Sequence, residues 1–262
     1  MNAQASTPSV LQRLHHGAVD WLQTWWRLAQ FAVLMLSVAL TPATYGRENR
    51  PVLARHLVAD TVPNLAWFGV MSALVGLVLI RIVLVTSLSY GLSRFALEMV
   101  VRVLVLELIP LTAAAFVALR TTLPAGLEFS QGRRNGTIAT MPELQREFFP
   151  RVAAGVFAVW MLAAVSCVLA LILAYLTLYG FTPWALAGYT RVVGQVFNPA
   201  VTLILVLKVV FFSFAVGLVP MASSFYFGGN YRVKVTHGLS DMVRLFAMIL
   251  LIEVASLMGN YY

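Results

Sequence analysis

Ionisable side chains interrupt apolar runs long enough to cross a bilayer: Arg81, Glu98, Arg102, Glu107, Lys208 and Glu253. A charge in hydrocarbon is costly, so it faces a protein interior, a partner or a water-filled path. The chemistry open to such groups is ion pairing, lining a polar passage, or proton relay. Glu98 and Arg102 are four apart, share a helix face and are placed to pair. Glu107 lies five beyond Arg102, about 140° round a helix, so its partner must come from another helix or a cavity. Pro110, within a turn of Glu107, removes an amide donor and can bend the helix beside the carboxylate. For Lys208 two readings stay open, a buried pairing or snorkelling to the outer interface. Glu253 is either paired or simply wet near the end of its run. Arg81 lies mid-run, where a partner carboxylate is expected but not specified. Proton relays favour carboxylate or histidine chains, and His15, His16, His56 and His237 all fall outside the apolar runs.

The rest of the chain offers no enzyme chemistry. No nucleophile–base constellation, Walker motif or zinc-ligand spacing is present, so no catalytic residue, metal site or cofactor is assigned to the chain itself. Cys167, the single cysteine, reads as a small apolar core residue. Of the 262 residues 60% are hydrophobic and 11% charged, whereas soluble domains carry about 25% charged residues. Mean hydropathy is +0.85. The formal charge of +8 belongs to loops and an anionic leaflet rather than to nucleic acid, because no basic run is interleaved with polar aromatics.

These features predict an all-α integral membrane protein. About five transmembrane helices follow an N-terminal interfacial amphipathic helix. Leu11, Leu14, Ala18, Leu22, Trp25 and Trp26 share one broad face over residues 9–30, and tryptophans favour the headgroup level. The run 28–40 is short for a span and is read as an interfacial or partly inserted continuation. Residues 42–63 are read as a loop or short surface helix. Residues 1–63 thus form an N-terminal cytoplasmic or interfacial region, and 64–262 a transmembrane domain with spans near 64–90, 96–120, 151–180, 197–225 and 240–259. Each has about 20 residues or more, enough for a core of about 30 Å.

Arginine and lysine collect before the first span, between spans two and three, and between spans four and five, while the opposite loops hold Arg94 and Arg191. This asymmetry places the N-terminus in the cytoplasm and Tyr262 outside. The cytoplasmic segment 121–150 carries Glu128, then Glu143, Arg146 and Glu147 on a short charged helix expected to end at Pro150, beside Arg151. A charged helix with Phe148 and Phe149 at the membrane face suits docking of a soluble partner. Asn135-Gly136-Thr137 matches a glycosylation acceptor on the wrong side of the membrane, and Gly228-Gly229-Asn230 reads as a turn.

In their order and spacing these features resemble the MlaE/YrbE family, the permease subunits of ABC transporters that move phospholipids or other lipids with MCE proteins. Glu107-Leu108-x-Pro110 followed by Arg120 is similar to the family's E-L-G-P…R, and Glu128 falls where a glutamate follows that arginine. Pro150-Arg151 resembles the P-R that opens the next span. Lys208 and Glu253 match a lysine in the fourth span and an acidic residue in the fifth. Ile109 stands in place of the motif's glycine, the segment between Arg120 and Pro150 is shorter than usual, and Tyr231 to Asp241 lacks the family's glycine- and threonine-rich stretch. The chain is thus expected to be a divergent member.

The resemblance implies a lipid-transporting permease in a Gram-negative inner membrane. It implies pairing with a second copy or a related permease around a lipid-accessible cavity. A cytoplasmic ABC ATPase, which would carry the ATP and magnesium, and a periplasmic MCE-domain protein would complete the system. Glu98, Arg102, Glu107, Pro110 and Arg120 would then shape or gate the substrate path. Glu128, Glu143, Arg146, Glu147, Pro150 and Arg151 would contact the ATPase. Two other readings are a structural or assembly subunit that has lost coupling, and an ion-coupled carrier.

Overall fold

A computed structural model describes residues 10–92, 95–132, 141–226 and 231–261. All regular structure among them is helical. Helix α1 spans Val10–Leu40 and is followed by a short 3-10 turn, Pro42–Tyr45. Helix α2 spans Arg50–Ser89. Helix α3 runs over Ala96–Glu128 and α4 over Leu144–Tyr179. Helix α5 is short, Leu186–Val196. Helices α6, Pro199–Tyr226, and α7, Tyr231–Tyr261, complete the chain. Among the described residues α2, α3, α4, α6 and α7 are long and apolar enough to cross a membrane, and α1 is not counted with them. The segment Gly238–Gly259 supplies the crossing part of α7.

Two expected boundaries move. Residues 42–63 are not a separate loop: from Arg50 they are helical and continuous with the first span, with Pro63 inside the helix. The proline removes one backbone donor, yet the helix runs on through it, and the Asn64 side chain donates to the Asp60 carbonyl at 2.7 Å. Likewise, the helix around Glu143–Glu147 does not stop at Pro150. It continues into α4 with Pro150 inside the helix, just after the stretch Leu144–Phe148 where the hydrogen bonding widens. Helical structure also carries on from α3 to Gly132. The sequence Asn135-Gly136-Thr137 and the turn at 228–230 lie outside the described residues.

At the other end of the bundle the connections are tight. Gly91 and Gly180, with φ of 70° and 65°, follow α2 and α4 in a backbone region that side-chain-bearing residues rarely adopt. Asn198 starts α6 by accepting the Val201 amide at 2.8 Å on Oδ1, with Pro199 next. Tyr189 anchors α5 by donating its hydroxyl to the Leu171 carbonyl at 2.7 Å. Burial, with Tyr179 adding to it, pushes this phenol up to about 12, so it stays a donor throughout the physiological range.

Helix α3 is the central helix: 56% of its apolar stretch is buried, against 17% in α2 and in α7. It packs on α4, α6 and α7, while α2 lies along α4 and α7 along α6. Ala113, Ala114 and Val117 of α3 meet Ala158 and Leu162 of α4, Phe212 and Val216 of α6, and Leu245 of α7 in one core. Helix α1 is held at one end of the bundle, where Phe31 packs on Phe148 and Phe225. Lipid tails are as apolar as leucine, so this packing rests on shape and close approach rather than on escape from water. Gly217 shows how close: a Cβ there would lie 2.9 Å from the Val152 carbonyl oxygen of α4. Gly217→Ala must therefore separate α4 from α6, and a loss of about 1–3 kcal/mol is expected in detergent melting.

Three stretches widen from α-helical to i→i+5 hydrogen bonding: Val101–Leu108 and Ala118–Thr122 in α3, and Leu144–Phe148 at the start of α4. Such wide turns mark functional sites more often than regular helix does.

Candidate functional site

Glu107 lies at the end of the first wide stretch, one residue before Leu108 closes it, and the residues around it build an ionic centre from three helices. Pro110 has no amide hydrogen, so the helix lacks one backbone donor just beyond Glu107. Lys208 Nζ of α6 reaches the nearby Leu106 carbonyl at 3.3 Å. The same ammonium donates to Glu107 Oε2 and lies 2.8 Å from Glu253 Oε2 of α7. The approach to Glu253 is an ion pair without hydrogen-bond alignment. Below the ammonium the Phe212 ring centroid lies 5.9 Å away, one turn along α6.

The three charged side chains come from comparable depths. Counted from the nearer ends of the apolar helices, they lie about 9–16 Å inside, well within the bundle. The Lys208 side chain is 1% exposed, and Glu107 and Glu253 are 13% and 11% exposed. Snorkelling of Lys208 and a wet Glu253 are therefore both excluded. A lysine that early in a span could reach the interface, but the Leu106 carbonyl and two carboxylates hold it inside. When both glutamates are ionised, two carboxylates around one ammonium leave one excess negative charge. The centre can thus exchange partners with a group carrying either sign.

The other sequence-selected residues lie elsewhere. Glu98 and Arg102 form the expected pair, with Arg102 Nε 3.0 Å from Glu98 Oε1, both about one-third exposed. They sit nearer the α5 end and do not join the Lys208 centre. Arg120 is at the opposite end of α3, exposed, with its guanidinium 5.8 Å over the Phe116 ring. About 20 Å of helix separates it from Glu107, so the two do not share a site. Arg81 lacks the expected carboxylate among the described residues and is exposed on α2. Its neighbours Leu77, Val78, Ile82 and Val85 are exposed with it, while Gly76 and Ile80 face inward. Cys167 is half-buried, its thiol 3.7 Å from the Val105 carbonyl.

The charged residues of the expected docking segment gather at the α1 end. Glu128, Arg146 and Glu147 are exposed, Glu143 and Arg151 half-buried, and Pro150 buried. Arg146 pairs with Glu48 of the segment before α2, and Arg151 donates to the Glu147 carbonyl at 2.7 Å. Tyr45 stacks edge-on against Phe149, tying the same two segments together. Among the described residues no group of three or more His, Cys, Asp or Glu is placed to hold a metal.

The structure adds residues that sequence reasoning did not single out. The Leu106 carbonyl is one, and a signal was present: Pro110 leaves the helix short of a backbone donor close by. Asp241 and Arg244, paired at 3.4 Å where the crossing part of α7 begins, are others.

Among the described residues, five helices long and apolar enough to cross a membrane, three of them sharing a buried ionic centre, define a polytopic helical membrane protein. Residues 53–258 match the family model described as Permease MlaE, and the chain belongs to the MlaE permease family. No curated protein matches the chain. As a permease it is a membrane transport subunit and not an enzyme.

Proposed function

We propose that the chain is the permease subunit of an ABC-type lipid transporter, moving phospholipid and driven by a separate ATPase that binds ATP and magnesium. It pairs with a second copy or a related permease. It meets the ATPase through the Glu128 and Glu143–Arg151 region, and an MCE-domain protein on the outer side of a bacterial inner membrane. The N-terminus is cytoplasmic and the C-terminus periplasmic. Family membership supports the transport reading, and the Lys208 centre is the observation that carries the mechanism.

That centre ties α3, α6 and α7 together inside the bundle through one ammonium. Breaking a buried pair by moving one partner away costs several kcal/mol unless another charge takes its place. A phospholipid headgroup carries such charges: its phosphate can take Lys208, and an amine can take the released carboxylate. ATPase closure, applied where Arg146 and Glu48 join the segments flanking α2 and α4, shifts helices against one another. The centre opens only when a headgroup is present to replace the lost contacts. Glu98 and Arg102, closer to the α5 end, line the way out.

Glu107→Gln tests this reading. The amide keeps the shape and can accept from Lys208, and Glu253 remains to balance the ammonium, so the fold is retained. Loss of the charge exchange should lower ATP-dependent transfer of fluorescent phospholipid between proteoliposomes by about tenfold or more. Wild-type transfer by the variant rejects the role of the centre. Transfer that follows membrane potential rather than ATP rejects the ABC reading, and a stable complex insensitive to nucleotide identifies an assembly subunit instead.

A further inference from the structure

The Lys208 centre holds an imbalance of charge that its own helices do not correct. Glu107 and Glu253 lie within hydrogen-bonding reach of one another, with Lys208 Nζ against both. Both side chains are largely buried, and one ammonium stands between them. Among the described residues no second cation comes to the site. Helix α6 has no other lysine or arginine. On α3, Arg102 pairs with Glu98, and Arg120 is about 20 Å away along the helix. On α7, Arg244 pairs with Asp241, nine residues before Glu253. Arg81 of α2 and Arg191 of α5 are exposed, and Arg146 and Arg151 sit at the far end of α4. What α4 brings to this level of α3 is the Cys167 thiol, at the Val105 carbonyl.

Like charges that share a buried site do not both stay ionised unless each is matched. The missing positive charge is that of a proton or of a metal cation, and the geometry favours the proton. Carboxylates this close leave room between them for a hydrogen. A metal cation needs a shell of several oxygen ligands, and the described residues place no third Asp, Glu, His or Cys beside the pair. The two acids are also unequal. Lys208 donates its hydrogen bond to Glu107, whereas Glu253 Oε2, in a residue 9% exposed, touches the ammonium without a hydrogen bond. Glu107 is therefore the charged partner of Lys208, and Glu253 is the acid free to carry the hydrogen.

We infer that the Glu107–Glu253 pair binds one proton at neutral pH while the centre is closed, carried by Glu253 and donated to Glu107. The proton is drawn from water and turns one carboxylate into a carboxylic acid, so the closed centre has no net charge. That is the arrangement of least cost inside a membrane. The proton itself does not depend on the transport reading. Its consequence does rest on that reading: the ammonium is surrendered to a headgroup phosphate against one negative charge instead of two.

Infrared spectroscopy of the full chain at pH 7 tests it, in a maltoside detergent that has no carbonyl of its own. A protonated carboxyl shows a C=O stretch that ionised carboxylates lack. Carrying ¹³C in the side-chain carboxyl of every glutamate shifts that band and separates it from any aspartic acid. Wild type should show about one protonated glutamate per chain. Glu253→Gln should remove the band, and so should Glu107→Gln, because the carboxylate left behind then balances the ammonium alone. Both substitutions keep the shape of the side chain. A wild-type spectrum with no protonated glutamate overturns the proposal without recourse to any variant. A band that survives in Glu107→Gln also overturns it, since the acid would then hold its proton independently of its neighbour. A band that appears only when sodium is withdrawn does the same, by assigning the charge to a metal cation. Loss of the band in Glu107→Gln together with wild-type lipid transfer would keep the proton and reject only the transport role of the centre.

Discussion

Lys208→Met is expected to lower the stability of the solubilised protein by about 3–5 kcal/mol, the cost of leaving buried carboxylates without their cation. The side chain is 1% exposed, and its ammonium is the common partner of Glu107, Glu253 and the Leu106 carbonyl. Methionine fills nearly the same volume, so packing against Phe212 survives and the loss isolates the charge. Removing all three charges at once, in Glu107→Gln, Lys208→Met and Glu253→Gln together, should recover most of it. A buried ion pair replaced as a unit is often neutral or stabilising. Melting in detergent with a stability-calibrated dye checks both variants. A single-variant loss below about 1 kcal/mol, the scale of exposed pairs, would show that the ammonium does not hold the helices together.

Pro110→Ala should divide stability from activity. Alanine restores a backbone donor beside the Leu106 carbonyl and relieves the proline, which costs about 3 kcal/mol in a helix interior. An amide that competes for that carbonyl takes from Lys208 a charge-assisted contact of about 1.5–3 kcal/mol. The two nearly cancel, so the melting temperature should hold or rise slightly. Lipid transfer should nevertheless fall about tenfold, because the ammonium no longer sits where a headgroup can take it from Glu253. Unchanged transfer would mean that Pro110 serves only the path of the helix.

How much of this was legible in the sequence depended on the range of the interaction. Glu98 and Arg102 pair within one helix, so a spacing of four was sufficient. The five crossing helices were visible because length and apolarity are local properties. Glu107 was expected to look beyond its own helix, and it does, but its partner lies 101 residues away and only the fold brings them together. Pro63 and Pro150 misled for a different reason. A proline removes one backbone donor without by itself ending a helix, and whether the surrounding packing carries the chain through is not written in the neighbouring letters. Arg81 was expected to find a carboxylate because burial was assumed from apolar neighbours. In α2 those neighbours face outward, and the inward face is marked by Gly76 and Ile80.

The wide turns at Val101–Leu108 and Ala118–Thr122 carry a consequence for how relatives are aligned. Each absorbs one residue more than an α-helical turn would, so counting by 3.6 across it misplaces every later position by about 100°. A relative lacking one residue inside such a stretch can close it to ordinary helix while Pro110 and the positions beyond it keep their orientation. A single-residue gap in the middle of a span, which elsewhere would rotate half the helix, is tolerated here, and ungapped comparison would assign the ionic centre to the wrong face.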